Sequence, residues 1–166
     1  ALTHRSFQGN NNERLEFLGD SILNFIIANL LFKKFNSLPE GDLSRLRSQL
    51  VKSTTLSWIG ILLNLGDYLI LGEGELKSSG WRRPSILADS VEAIIGAVFI
   101  DGGINASGDL IISWFKDKID AIDPNDIQKD SKSILQEWLQ AKKIALPDYN
   151  VVSIEGEAHC QHFKVS

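Results

Sequence analysis

Three acidic side chains with helical spacing come just before the most apolar part of the chain. Glu13, Glu16 and Asp20 are spaced so that on an α-helix they lie along one face. Residues 22–27 (ILNFII) are almost wholly apolar, so this helix is predicted to enter a hydrophobic core. Carboxylates on a packed helix are strongly desolvated unless a positive charge compensates them. A divalent cation is the simplest compensating group.

A second acidic pair lies in another apolar helix, which is predicted to begin at Pro84 because proline suits a first helical turn. Asp89 and Glu92 are the only charged residues of segment 85–99 (SILADSVEAIIGAVF), and their spacing places them side by side. If the acids of the two helices face each other, they form a hard oxygen site. Such sites suit Mg²⁺ or Mn²⁺.

Length, composition and charge limit the classes of protein that this chain can be. Its 166 residues are 43% hydrophobic and 23% charged, as in an ordinary soluble globular protein. The net charge of −4 argues against a protein that coats nucleic acid through bulk electrostatics. Any contact with nucleic acid would need local basic spots, metal ions that bridge phosphate to carboxylate, or a segment absent from this sequence.

The same composition predicts a cytoplasmic location. The single cysteine excludes an internal disulfide framework and fits a reducing compartment. No signal peptide is visible, and the longest apolar run, residues 22–32, is expected to be too short to span a bilayer. We therefore expect no membrane partner.

Helical periodicity is predicted throughout residues 1–123, with residues 1–7 as the end of a helix. The glycine-rich segment 66–84 is expected to be a mobile connector, and the pair Gly102-Gly103 is expected to end the second acidic helix. No convincing strand is found in this part of the chain. The predicted core includes three tryptophans: Trp58, Trp114 and Trp138.

Four segments resemble the ribonuclease III family: residues 12–21 (NERLEFLGDS), 82–93 (RRPSILADSVEA), 3–6 (THRS) and 71–77 (LGEGELK). The first is the most specific, and together they extend the resemblance over essentially the whole chain. Pro84 stands where many relatives have an acid and Glu73 where many have proline, and neither change touches the acids above. The resemblance implies an all-α endonuclease domain with a ribonuclease III-like helical fold over residues 1–123.

The resemblance also implies a metal-dependent endoribonuclease. Its implied substrate is double-stranded RNA, its products have 5′-phosphate and 3′-hydroxyl ends, and its role is rRNA and mRNA processing. Mg²⁺ is the implied cofactor, Mn²⁺ is expected to substitute, and no small-molecule cofactor is expected. The metal ligands of the family fall on Glu16, Asp20, Asp89 and Glu92, with Asp20 and Glu92 as catalytic residues and Glu13 as a supporting acid.

A homodimer is the implied assembly. Phe17 matches an aromatic residue that the family uses at its dimer contact, although a phenylalanine in the core is the alternative. In the family, each of the two paired sites cuts one strand of the duplex. A twofold dimer suits a substrate whose backbone is itself nearly twofold symmetric.

The periodicity changes after a polar linker at residues 124–130. Residues 131–143 are predicted to be a helix, 149–154 an extended strand, and 163–165 the start of a second strand. This order resembles the opening of a double-stranded-RNA-binding domain, so residues 131–166 are expected to be a truncated, incomplete α+β domain. The family's RNA contacts then fall on Ser133, Gln136, Glu137 and His159.

Three basic residues of the glycine-rich connector are further candidates for RNA contact. Phosphates attract accessible lysine and arginine side chains, but plain solvation is an equal alternative for them. A-form RNA hides its major-groove base edges, so recognition is expected to rest on shape, phosphates and 2′-hydroxyls. The three candidates are Lys77, Arg82 and Arg83.

Two other functions compete with the endoribonuclease. A non-catalytic RNA-binding relative would be expected to lack one or more of the acids, and none is lacking. A metal hydrolase of small phosphate esters would be expected to have a closed pocket.

Overall fold

In the part of the chain that the structure describes, six α-helices and a two-stranded sheet form most of the regular structure. The computed structural model describes residues 1–124, 131–156 and 161–165. The chain divides into two units, Ala1–Ile127 and Gln128–Ser166. Each unit is described by itself.

All regular structure in the described part of the first unit is helical, apart from one isolated β-bridge. Two short 3-10 turns, Leu65–Asp67 and Gly80–Arg82, lie on either side of the short helix α4, Glu73–Lys77. The expected irregular connector is therefore largely a series of short helical turns. The five helices are α1 Glu13–Lys34, α2 Glu40–Val51, α3 Ser53–Leu62, α4 Glu73–Lys77 and α5 Pro84–Asp120.

A kink divides α5 into two helical segments. Gly103 has a φ of 74° and a ψ of −170°, a backbone conformation that is easy only for glycine. The predicted break at the glycine pair is therefore present, but helix resumes immediately after it. The helix begins at Pro84, as predicted.

The core of the first unit lies where α1 packs along α5, with α3 on another side of α5. Fully burying a leucine, isoleucine or phenylalanine contributes about 1.5–3 kcal/mol relative to its exposed state. This packing fixes α1 and α5 relative to each other. The largest fully buried apolar side chains of the two helices are Leu23, Ile27 and Leu31 from α1 and Val91, Ile95, Ile111 and Phe115 from α5.

The length of α1 corrects one expectation from the sequence. The helix has 22 residues and, by length and composition alone, is apolar enough to cross a membrane. The sequence had been expected to contain no segment of that length, because only the apolar run 22–32 was considered. Within this unit α1 is a core helix, since Leu23, Ile27 and Leu31 are buried in the cluster that α5 also forms.

Residues 1–7 are not the end of a helix, contrary to expectation. Thr3 forms an isolated parallel bridge with Ile70. The backbone N–H of His4 donates to the Ile70 carbonyl at 3.0 Å, and the Ile70 N–H donates to the Leu2 carbonyl at 2.9 Å. The partner is far away in sequence, so local periodicity gave no sign of this pairing.

Two of the three tryptophans predicted in the core are largely exposed. Trp58 is 45% exposed and Trp138 54% exposed, whereas Trp114 packs against the core. The ammonium group of Lys118 lies 4.1 Å from the centre of the Trp58 ring. A cation–π contact of this kind leaves one ring face partly in water.

The second unit contains α6, Ser131–Ala141, and two strands, β1 Val151–Glu155 and β2 His162–Val165. The strands pair antiparallel, with an irregularity between Val151 and Ser153. The predicted helix and both predicted strands are therefore present.

Candidate active site

Two glycines allow α1 and α5 to approach closely. A Cβ atom on Gly19 would overlap the backbone carbonyl of Glu92, and one on Gly96 would overlap the backbone carbonyl of Leu15. Only glycine fits where one helix backbone lies directly against another. The acids that come one turn before each glycine, Glu16 and Glu92, therefore meet beside this crossing.

Three carboxylates come together there. Glu16, Asp89 and Glu92 each offer an oxygen, and these oxygens lie within 4.8 Å of one another. All three residues are partly buried. Within the residues that the structure describes, no hydrogen bond or ion pair engages these three carboxylates. Among the described residues no ion pair therefore neutralises the cluster, although Arg5 is near enough for its charge to act on Glu16 and Asp89.

The crowding of negative charge changes the proton affinity of the cluster. Burial raises the pKa of Glu92 to about 8, and the charges of Asp20, Asp89 and Glu16 add to this effect. Burial and the neighbouring Asp89 also raise the pKa of Glu16. Burial raises the pKa of Asp89, although nearby His4 and Arg5 partly oppose the shift. A bound cation stabilises the ionised form of carboxylates whose pKa is raised by burial and by neighbouring acids.

Asp20 is close to the cluster but outside the group of three. Its side chain is exposed, and its Oδ1 accepts a hydrogen bond from Nδ2 of Asn24 at 2.9 Å. It is near enough for its charge to raise the pKa of Glu92. Of the four acids that were expected to converge, the structure thus brings three within 4.8 Å of one another, and Asp20 lies exposed beside them.

Glu13 and Phe17 both point away from the core. The Glu13 carboxylate lies 3.5 Å from the Arg5 guanidinium, and both side chains are largely exposed. Phe17 is 77% exposed, which excludes the alternative of a core phenylalanine.

A hard divalent cation fits the donors of the cluster. Three converging carboxylate oxygens, with none of the described basic side chains paired to them, are the ligand type that Mg²⁺ and Mn²⁺ prefer. The charge of Arg5 acts on Glu16 and Asp89, but its guanidinium forms an ion pair with Glu13 instead.

The three basic candidates for RNA contact all have partners within the chain. Arg83 pairs with Glu75 at 2.9 Å, and Lys77 lies 3.7 Å from Glu73. The remaining candidate, Arg82, lies 4.1 Å from the centre of the Trp81 ring.

The candidates in the second unit are only partly described. Gln136 is partly buried and Glu137 is exposed on α6. Ser133 lies in α6, but its side chain is outside the described part, and His159 lies outside the described residues altogether.

Sequence reasoning missed two features of the site. Gly19 and Gly96 were seen only as parts of apolar helices, although a glycine inside a predicted helix is itself a sign of close packing. The second missed feature is a small cavity of about 90 Å³ beside the carboxylates, to which Asn12, His4 and Arg5 contribute. Its residues come from separate segments, so no local pattern revealed it.

Comparison with known proteins gives the class to which this fold and site belong. The family described as Ribonuclease-III-like matches residues 1–119, which include both acidic helices. The chain is 59% identical to Ribonuclease 3 from Pseudoalteromonas translucida over 99% of its own length and 73% of that relative. It is 56% identical to Ribonuclease 3 from Hahella chejuensis with the same coverage. The helical domain with its acidic site thus defines the class of endoribonucleases.

Solved structures agree with this assignment. A nuclease domain of ribonuclease III from Campylobacter jejuni, described for flexibility in a region involved in dimer formation, is 42% identical with a TM-score of 0.68, covering 70% of this chain and 82% of that one. Dicer from Pichia stipitis is 27% identical with a TM-score of 0.57, covering 93% of this chain and 73% of that one. The chain belongs to the ribonuclease III family.

Membership confirms the predicted fold class. The helical first unit is an endonuclease domain with the ribonuclease III-like fold, and the short two-stranded sheet fits an incomplete double-stranded-RNA-binding domain.

Proposed function

We propose that the chain cleaves double-stranded RNA at a Mg²⁺ site formed by Glu16, Asp89 and Glu92, with Asp20 as the ligand at the solvent side. The observation that carries this proposal is the convergence of three partly buried carboxylates, none of which forms an ion pair within the described residues. Mn²⁺ is expected to substitute, because it shares the preference for carboxylate oxygen.

A bound Mg²⁺ supplies an activated water and relieves negative charge on the reacting phosphate. The task of the chain is to hold the ligands in place, because phosphoryl transfer depends mostly on positioning and electrostatics. Glu16 and Glu92 are fixed by the glycine crossing of α1 and α5. Asp20 accepts a hydrogen bond from Asn24 and lies at the exposed side of the site. We assign Asp20 and Glu92 as the catalytic pair. Glu13, engaged with Arg5, is assigned only a supporting role.

A long RNA is a better substrate for this site than a small phosphate ester. The cavity of about 90 Å³ beside the carboxylates is too small to enclose a nucleotide. Asp20 is exposed, so the site can be reached from the surface of the domain. Open access of this kind favours a duplex whose shape and phosphates are recognised from outside.

RNA contacts outside the acidic site are assigned to two regions. Lys77, Arg82 and Arg83 are proposed to contact phosphates, which requires Lys77 and Arg83 to exchange carboxylate partners for phosphate oxygens. In the second unit the proposed contacts are Ser133, Gln136, Glu137 and His159.

The working form is proposed to be a homodimer in which Phe17 is a contact residue. A phenylalanine that is 77% exposed on a helix of the catalytic domain is better explained by a partner surface than by the core. The proposed division of the chain is a catalytic domain at residues 1–123, a linker at 124–130 and the RNA-binding segment at 131–166. The proposed products have 5′-phosphate and 3′-hydroxyl ends, and the proposed role is rRNA and mRNA processing in the cytoplasm.

The test is digestion of a labelled RNA duplex and of the matching single strand, with Mg²⁺ or with EDTA. Cleavage of the duplex alone, and only with Mg²⁺, is the expected result. Metal-independent cutting, or equal cutting of the single strand, would refute the proposal. Duplex binding without cleavage would instead indicate a non-catalytic RNA-binding protein.

A further inference from the structure

Asn12 is a buried polar residue without an evident structural task. It is 2% exposed, and its Nδ2 has no hydrogen-bond partner within the described part of the chain. A buried amide donor that is left unpaired destabilises the folded state, because it has lost its hydrogen bonds to water. Its presence therefore needs an explanation.

Helix capping does not explain Asn12. Asparagine is favoured just before a helix because its side chain can accept a hydrogen bond from the first free backbone N–H groups. Asn12 stands at that position of α1 but makes no such bond. Oδ1 of Asn11 accepts the hydrogen bond from the Glu13 backbone N–H instead, at 3.1 Å.

Asn12 does line the small cavity that adjoins the acidic cluster. Glu16 and Asp89 line the same cavity, which is enclosed mainly by polar groups and has a volume of about 90 Å³. A polar space of that size can hold ordered water with several hydrogen-bond partners. The unpaired amide and two carboxylates of the cluster therefore border one polar space.

His4 also lines the cavity, and its ring is held in place by Ser6 of the N-terminal segment. The Ser6 backbone N–H donates to Nδ1 of His4 at 3.2 Å, and the Ser6 hydroxyl lies 2.8 Å from the same nitrogen. The Gly72 backbone N–H donates to that hydroxyl at 2.9 Å, so the hydroxyl proton is directed to His4. In the neutral ring, Nδ1 is then the acceptor and Nε2 carries the proton.

We propose that Asn12 is a positioning residue for the acidic site, an inference that rests on the proposed metal-dependent function. Through ordered water in the cavity, its amide hydrogen-bonds toward Glu16 and Asp89 and holds their oxygens in place for the cation. Groups behind metal ligands commonly change metal affinity in this way. The burial of an unpaired amide in the free protein is then explained by its role beside the ligands.

The test is calorimetric titration of the full chain with Mn²⁺, together with the melting temperature of the metal-free chain. Asn12→Leu keeps the number of heavy side-chain atoms and the branching at Cγ but removes the polar group. It is expected to keep or raise the melting temperature while weakening Mn²⁺ binding by about tenfold to a hundredfold. Asn12→Ser, which retains a hydrogen-bonding group, is expected to recover part of the affinity and serves as the second variant if the leucine variant does not fold.

Asn11→Ala is the matched control, with the opposite pattern. It removes the bond from the Glu13 N–H and a 3.3 Å bond from Nδ2 of Asn11 to the exposed Glu13 carboxylate, so the melting temperature is expected to fall while Mn²⁺ affinity stays near that of the wild type. Wild-type affinity in Asn12→Leu, or an equal loss of affinity in Asn11→Ala, would overturn the role of Asn12. Absence of Mn²⁺ binding by the wild-type chain would refute the proposed metal site itself.

Discussion

Gly19 and Gly96 face each other where α1 crosses α5. A Cβ atom on Gly96 would lie 3.2 Å from the backbone nitrogen of Gly19 and would overlap the carbonyl of Leu15. The two backbones are therefore in direct contact at the point beside which Glu16 and Glu92 meet.

Replacing Gly96 with alanine is expected to push the two helices apart. Overpacking of this kind should destabilise the chain by about 1 to 3 kcal/mol, which a urea denaturation curve would measure. Cleavage should fall as well, because Glu16 and Glu92 would separate. Gly74→Ala is the control, since no atom lies within 4 Å of a Cβ placed there. Equal stability of the two variants would contradict the close crossing.

The metal-free chain is expected to lose stability as the pH rises from about 4.5 to about 8. Glu92 has a pKa of about 8 in the folded chain against an ordinary pKa of 4.5 for a glutamate, so in this window the folded state binds more protons than the unfolded state. Unfolding then releases protons, and higher pH favours it. Because Glu92 is only partly buried, solvent screening limits the effect to roughly 1 to 2 kcal/mol.

Melting curves in EDTA across this pH range would measure that loss. Glu92→Gln should flatten the pH dependence and should be more stable than the wild type above pH 8. An unchanged slope in the variant would show that Glu92 is not the group responsible.

Glu92→Gln is also expected to reduce cleavage of an RNA duplex by roughly a thousandfold or more. Loss of this ligand removes several kcal/mol of transition-state stabilisation. Single-turnover cleavage rates at saturating enzyme would measure the effect. Asp120→Asn is the control, because Asp120 is an exposed acid whose partner is Lys34. This substitution should leave the cleavage rate unchanged.

Mg²⁺ or Mn²⁺ is expected to raise the melting temperature of the wild-type chain at neutral pH. A cation that binds only the folded state adds about 2.7 kcal/mol at a hundred times its dissociation constant. Calorimetry with increasing metal, followed by EDTA, would measure the shift and its reversal. Asp89→Asn should show a much smaller shift, and a shift equal to that of the wild type would remove Asp89 from the ligand set.

Phe17→Ala is expected to weaken dimer formation while leaving the core intact. A buried aromatic contact at the centre of an interface often contributes about 2 kcal/mol, or roughly thirtyfold in the dissociation constant. Sedimentation velocity over a concentration series would measure it. Tyr68→Ala, which alters another aromatic residue of similar exposure outside α1, should not change association.

Local patterns predicted the long helices α1 and α5 and the positions of the acids on them, because both depend only on spacing along one helix. The positions of Glu16, Asp89 and Glu92 followed from spacing and family resemblance, and the structure brings them together. The spacing could not show that Asp20 would remain exposed, since that depends on the angle at which α5 crosses α1. The expectation for residues 1–7 was wrong for a similar reason, because their partner is Ile70.

Burial of the tryptophans was also beyond local reasoning. Trp58 and Trp114 both lie in apolar helical patterns, yet only Trp114 packs against the core. Which face of a helix is covered depends on the neighbouring helices, and Lys118 rather than an apolar residue lies over Trp58.

Helix α1 carries three different surfaces: the aliphatic side chains in the core, the acids beside α5, and the exposed ring of Phe17. Inserting one residue ahead of Leu23 would rotate everything before it by about 100° relative to the core. Acids and aromatic ring would then turn away from their positions together. The rotation of α1 about its own axis therefore determines core packing, the acidic site and the proposed dimer contact together. We expect insertions in α1 to be tolerated far less than single substitutions on its exposed side.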